Sequence, residues 1–140
     1  TLLIAFKIFL KKFPDFKLII LGHGNLKNKL KIQAINLKIE KKVIFKGWVN
    51  NTENYVKFSK IFVLSSVYEG LGNVLIDAIN FDVPCVATNC PSGPSEILLN
   101  GRGGFLSRPG HYNELAYNMI KCQSNYNSAI KMCNYSKKKT

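Results

Sequence analysis

The sequence predicts an α/β protein: a doubly wound, mostly parallel Rossmann-like sheet with helices on both faces. Two observations carry this. Short apolar runs closed by glycine or serine, "FKLIILG", "KVIFKG" and "IFVLSS", have the pattern of strands buried on both faces. Each is separated from the next by a segment with helical spacing of apolar groups, and the connections are short.

Residues 2 to 13 place Leu2, Leu3, Phe6, Phe9, Leu10 and Phe13 at a helical period that stops before Pro14. The run ending at Gly22 is the first strand. Asn25 is then expected to cap a helix whose stripe is Leu26, Leu30, Ala34 and Leu37. After the "KVIFKG" strand, residues 52 to 60 read as a short helix with Tyr55, Val56 and Phe58 inward, followed by "IFVLSS". A helix from Asn73 to Phe81, a strand from Pro84 to Thr88 and a helix opened by Gly93-Pro94 come next, proline being favoured in a first turn. "GGFLSRPG" supplies a last short strand and Glu114 to Cys122 a helix. The organisation expected is one domain over residues 1–123 and a polar, lysine-rich tail over 124–140 without fixed structure.

With 46% hydrophobic and 20% charged residues the 140-residue chain has a globular composition. It does not begin with methionine and reads as part of a longer protein. "LLIAFKIFL" is about half the length a spanning helix requires and carries Lys7. Cys85, Cys90, Cys122 and Cys133 form no CxxC pair and have no histidines at ligand spacing, which points to a reduced, cytoplasmic protein and no metal. The net charge of +12 rests on 18 lysines and two arginines against eight acids. Such a field suits acidic partners: phosphate-bearing substrates, or an anionic membrane touched peripherally at its inner face. Solvated lysine faces explain the same charge. Nucleic acid fits poorly, because arginine is scarce and no zinc spacing, RNP-like run or helix-turn-helix pattern occurs.

In open α/β sheets, ligands bind beyond the carboxyl ends of the strands, where loops enter helix N-termini. "SSVYEGLGNVLIDAINFDVPCVATNCPSGPSEIL", residues 65 to 98, lies at such a place. The free N–H groups at the start of the Asn73 helix favour an anion, and Gly70 and Gly72 let a phosphate approach the backbone. Glu69 stands at the mouth of that site, and Asp77 one turn into the helix. This suits a molecule with phosphates in the middle and hydroxyl-rich groups at both ends, as in a nucleotide sugar. Asp77 alone fits plain stabilisation of the helix dipole equally well.

This run, preceded by "KLIILGHG" and "VIFKGWV" and followed by "GGFLSRPG" and "LA", resembles the C-terminal, donor-binding domain of the retaining glycosyltransferases of family 4, which have the GT-B architecture. The likeness covers about residues 2 to 122 and is nearest to bacterial enzymes that build capsule, lipopolysaccharide or lipid-linked glycans. It implies that Glu69 is the first acid of a Glu, seven residues, Glu motif and contacts the transferred sugar. Gly70, Leu71, Gly72 and Asn73 match the backbone run that holds sugar and diphosphate, and Asp77 stands where the second glutamate, the ribose ligand, belongs. Gly47, Trp48 and Val49 match the stretch bordering the base; Gly22 and Gly24 match the loop lining the cleft. His23 takes a variable place in that loop, and His111 has only a turn role.

The resemblance also implies what lies upstream of residue 1: a first strand, a phosphate-binding arginine and lysine, and an acceptor-binding domain through which a glycan or lipid-linked acceptor enters. The expected activity is retaining transfer from a nucleotide sugar, UDP being the family's commonest nucleotide, with no metal or other cofactor and with the isolated chain inactive. Competing readings are a remnant that only binds nucleotide sugar or does nothing, a GT-B nucleotide-sugar 2-epimerase, and a basic nucleic-acid binder.

Overall fold

The computed structural model of the protein describes residues 1–70 and 72–140. It opens with helix α1 (Leu2–Leu10), which buries Leu3, Ala5, Phe6 and Phe9. Each of the three larger side chains contributes about 1.5 to 3 kcal/mol by leaving water. Phe9 anchors an aromatic cluster, its ring centroid 5.0 Å from that of Phe13 and 5.2 Å, edge-on, from that of Phe16.

Strand β1 (Leu18–Leu21), helix α2 (Lys27–Asn36) and strand β2 (Val43–Gly47) form one parallel strand-helix-strand unit. Helix α3 (Thr52–Lys57) leads to β3 (Phe62–Leu64), α4 (Asn73–Asn80), β4 (Cys85–Thr88), α5 (Pro94–Ile97) and β5 (Phe105–Ser107). Helices α6 (Tyr112–Ser124) and α7 (Tyr126–Lys137) end the chain. All strand pairs are parallel, as the apolar runs predict, but they form two ladders rather than one: β1 with β2, and β3-β4-β5 with β4 in the centre. Accordingly β4 is buried at every position, whereas β3 is only half-buried.

Two apolar layers flank these ladders. The first joins α1, α2 and α6 to side chains from both ladders, including Leu18, Ile20, Val63 and Val86. The second joins α3, α4 and α5 to the three-stranded ladder alone, through Phe62, Leu64, Cys85 and Ala87. Crossovers between parallel strands are right-handed almost without exception. With α2 on the first layer and α4 on the second, the β1–β2 and β3–β4 steps therefore run in opposite directions.

Three local expectations are corrected. Leu26, not Asn25, holds the N-cap position of α2 and no side chain caps it; the Lys27 N–H bonds the Gly24 carbonyl at 3.2 Å, so a backbone turn starts the helix instead. Leu26 consequently stays exposed and outside the stripe. Phe58 is 80% exposed rather than inward, because α3 stops at Lys57 and only Val56 reaches the core.

The third correction concerns residues 124–140, which are not a loose tail. Helix α7 lies along the amino ends of β3, β4 and β5. Lys60, just before β3, sits 5.4 Å from the Tyr126 ring; the Cys133 thiol donates to the Val83 carbonyl just before β4; and the Ser136 hydroxyl donates to the Ile97 carbonyl at 2.5 Å. Its buried stripe is Ala129, Cys133 and Ser136, small residues one turn apart that let the helix come close despite a polar composition. Lys137 then binds the Asn80 carbonyl at the end of α4 and the Asp82 carboxylate, both at 2.8 Å, a cation at a helix C-terminus. The Gly103-Gly104 pair has the same cause: a Cβ on Gly103 would stand 2.6 Å from Ser136 Cβ, and one on Gly104 would stand 2.9 Å from the Cys85 carbonyl. Gly103→Ala should therefore push α7 outward and cost about 1 to 3 kcal/mol in urea denaturation. An unchanged midpoint would mean that α7 is not docked there.

Candidate functional site

Because every ladder is parallel, the loops after all five strands emerge at one end of the molecule, opposite α7. The candidate residues fall into two groups on that rim. The first follows β1 and β2. The Gly22 N–H donates to the Gly47 carbonyl at 2.8 Å, so the two loops are tied together. Both glycines have positive φ, 109° and 73°, which disfavours side-chain-bearing residues at these turns. Gly22, His23 and Gly24 line a cleft of about 190 Å³ with Leu26, Lys27 and Phe45. Trp48 is 81% exposed, an indole standing free in solvent, and Val49 is half-buried.

The second group follows β3. Its loop is pinned from below: the Thr88 hydroxyl, fully buried at the end of β4, donates to the Ser66 carbonyl at 2.5 Å and to the Leu64 carbonyl at 3.3 Å. The Ser66 hydroxyl in turn donates to Glu69 Oε1 at 2.5 Å. A relay of β4, Thr88, Ser66 and Glu69 thus fixes a half-buried carboxylate just above the sheet. Gly72 is the N-cap of α4 in a left-handed conformation, φ 68°, and a Cβ there would meet Ile97 Cδ1 at 3.3 Å. Its glycine identity is accounted for by that turn and that packing. The Leu75 N–H is taken by the Gly72 carbonyl, whereas the N–H groups of Asn73 and Val74 precede any intrahelical acceptor. Gly70 is exposed with open space around it, and Asp77 is exposed in the second turn of α4. Leu71 lies outside the described residues.

The rim brings both groups to one end, and among the described residues no hydrogen bond joins them. Three residues of interest were not singled out by the sequence pattern. Ser66 and Thr88 hold Glu69; the Ser-x-x-Glu spacing of Ser66 and Glu69 was the available signal. The third is Lys27, whose ammonium comes within 3.5 Å of the Cβ position of Gly47, putting a cation over the first group. At the end of β5, the Arg108 guanidinium and backbone N–H both bond Glu114, at 2.6 and 2.9 Å. These bonds hold the Glu114 carboxyl at about 2, far below its ordinary range. The pair staples the turn that contains the exposed His111. Among the described residues no three His, Cys, Asp or Glu side chains come together as a metal site. All four cysteines are free and buried, and burial raises the thiols of Cys122 and Cys133 to about 12 and about 11. A larger cleft of about 680 Å³ lies beside β5, lined by Gly104, Asn118 and Asn125 among others, and shares no residue with either rim group.

The sequence model of the family described as glycosyl transferases group 1 matches residues 1–139. The chain belongs to this family. An uncharacterized glycosyltransferase of Methanocaldococcus jannaschii is 42% identical over 118 residues, 75% of this chain and 29% of that protein. The N-acetylgalactosamine-N,N'-diacetylbacillosaminyl-diphospho-undecaprenol 4-alpha-N-acetylgalactosaminyltransferase of Campylobacter jejuni is 35% identical over 101 residues, 72% of this chain and 28% of that one. Among solved structures, Staphylococcus aureus TarM in complex with fondaparinux, alpha-GlcNAc-glycerol and UDP superimposes with a TM-score of 0.90 at 25% identity, covering 98% of this chain and 28% of TarM. The C-terminal domain of a group 1 glycosyltransferase from Francisella tularensis gives 0.86 at 22% identity, over 98% of this chain and 74% of that domain. The architecture is that of the C-terminal half of a GT-B enzyme, and the group 1 chain spans about three tenths of the curated relatives' length.

The relay below Glu69 gives a direct check of the site's scaffold. Thr88→Val keeps the shape and removes the hydroxyl, leaving the Ser66 carbonyl without its donor, at a cost of about 1 to 3 kcal/mol. The measurement is a urea melt of this variant beside wild type; a loss below about half a kcal/mol would mean that the loop is not anchored through Thr88.

Proposed function

We propose that this chain, α7 included, acts as the donor-binding half of a retaining glycosyltransferase, taking a UDP-sugar and serving transfer to a lipid-linked or surface glycan. The observation that carries this reading is the fixed Glu69 carboxylate, held by Ser66 and Thr88 in the loop between β3 and α4. In this reading Glu69 meets the transferred sugar. The diphosphate lies against Gly70 and the first-turn N–H groups of Asn73 and Val74, where the helix dipole favours developing negative charge on the leaving group without a metal ion. Asp77 reaches the ribose, one methylene or about 1.5 Å shorter than glutamate. Gly47, Trp48 and Val49 border the base, and Gly22 and Gly24 line the cleft beside Lys27.

The acceptor enters from polypeptide outside these residues, so residues 1–140 alone give no turnover. A peripheral place at the inner face of the cytoplasmic membrane is supported by α2, which exposes Ile32 and Ile35 among Lys27, Lys29 and Lys31. Salt-sensitive sedimentation of the chain with anionic but not neutral vesicles checks that part.

The donor site is tested by calorimetric titration of UDP into wild type, Asp77→Ala and Asp77→Glu. Loss of a charge-assisted hydrogen bond worth about 1.5 to 3 kcal/mol should weaken UDP roughly 10- to 150-fold in Asp77→Ala, whereas Asp77→Glu should bind as well as wild type or better. Equal affinity in all three would remove the ribose role and leave Asp77 as a helix-dipole residue.

A further inference from the structure

The cysteines are buried reactive groups that the rim does not use, and two of them converge. The Cys133 thiol of α7 donates to the Val83 carbonyl at 3.4 Å, and the Cys85 thiol at the start of β4 donates to the same oxygen at 3.3 Å. Sulfurs that share one acceptor at these distances lie within about 7 Å of each other. Both side chains pack in the second apolar layer, whereas Cys122 packs in the first. Cys90 follows β4 on the way to the rim. Burial raises both converging thiols above their ordinary range, Cys133 to about 11, so neither is an attacking thiolate at neutral pH while α7 is docked.

The helix that covers the pair is lightly held. Its buried stripe, Ala129, Cys133 and Ser136, gives little apolar burial, and the exposed Lys137–Asp82 ion pair adds little to it. α7 therefore opens at a fraction of the free energy that unfolds the sheet, and opening brings both thiols to solvent. We propose that Cys85 and Cys133 form a redox clasp, which a small disulfide such as oxidised glutathione closes into one intramolecular disulfide that locks α7 across the start of β4. In the opened state the Cys133 thiol gives its proton to water, its thiolate attacks one sulfur of the oxidant, and a glutathione thiolate leaves. Cys85, deprotonated in turn, attacks the Cys133 sulfur of the mixed disulfide and expels the second glutathione. Two cysteine thiols are thereby oxidised to one disulfide, and one oxidised glutathione is reduced to two thiols. Rotation about the two Cα–Cβ bonds and the give of α7 bring the sulfurs to bonding distance. The clasp uses no rim residue and is independent of the sugar reading.

The test holds the 140-residue chain with oxidised glutathione under native, mildly alkaline conditions and maps its disulfides by mass spectrometry of unreduced peptides. Free thiols should fall from four to two, and the linked peptides should be those that hold Cys85 and Cys133. The melting temperature should rise by roughly 5 to 10 °C and return on addition of dithiothreitol. Cys133→Ala, which keeps a small apolar side chain at the contact, should abolish both changes. Gly103→Ala, which displaces α7, should speed closure by about tenfold or more. A disulfide joining any other pair, a lower melting temperature on closure, or four thiols that stay reduced until the chain unfolds would each overturn the proposal. Equal closure rates in Gly103→Ala and wild type would overturn it as well, since the opening of α7 would then not be the gate.

Discussion

The burial of helix α1 is the constraint on which the rest of the molecule depends. No strand ladder connects β1 and β2 to β3, β4 and β5 among the described residues, so the two halves share an apolar layer instead. Leu3, Phe6 and Phe9 pack against α6 on one side, while the Phe9, Phe13 and Phe16 rings close over the start of β1. Burial of this kind is non-directional: it holds the halves together without fixing register as hydrogen bonds would. Register is fixed locally instead, within each parallel pair.

That division shapes the rim. Each half presents a rigid loop group: the Gly22–Gly47 tie in one, and the relay from Thr88 through Ser66 to Glu69 in the other. The distance between them depends on how α1 sits. A ligand that spans the rim has charge to meet in both groups, Lys27 over Gly47 and the N-terminus of α4 beside Gly70. The opposite end is closed by α7, whose small residues and the Gly103-Gly104 pair permit an approach that larger side chains would block.

Strand and helix order was legible because apolar runs ending in glycine and helical stripes between them admit few alternatives; all five strands and the first six helices lie where those patterns place them. The place of Glu69 and of the glycine turn was legible, since a strand closed by Ser65-Ser66 and a helix opening near Asn73 put both in the loop between them. Helix α7 was not, because polarity was weighed over spacing, and the small residues Ala129, Cys133 and Ser136 pack by shape rather than by hydrophobicity. Phe58 misled for the converse reason: an aromatic one residue past a helix end has no face to share. The roles of Ser66 and Thr88 were hidden because a hydroxyl that bonds a neighbouring loop depends on tertiary placement. The split of the sheet was equally invisible, since pairing partners are not encoded in a strand's own period.

In the proposed function the two loop groups form one ligand site across the junction that α1 holds. Amide chemical-shift mapping of the isotope-labelled chain during titration with UDP tests it most directly. Gly22, Gly24 and Gly47 should shift together with Gly70 and Asn73, along one saturation curve. Shifts confined to a single group, or centred on the Gly104, Asn118 and Asn125 cleft beside β5, would contradict it.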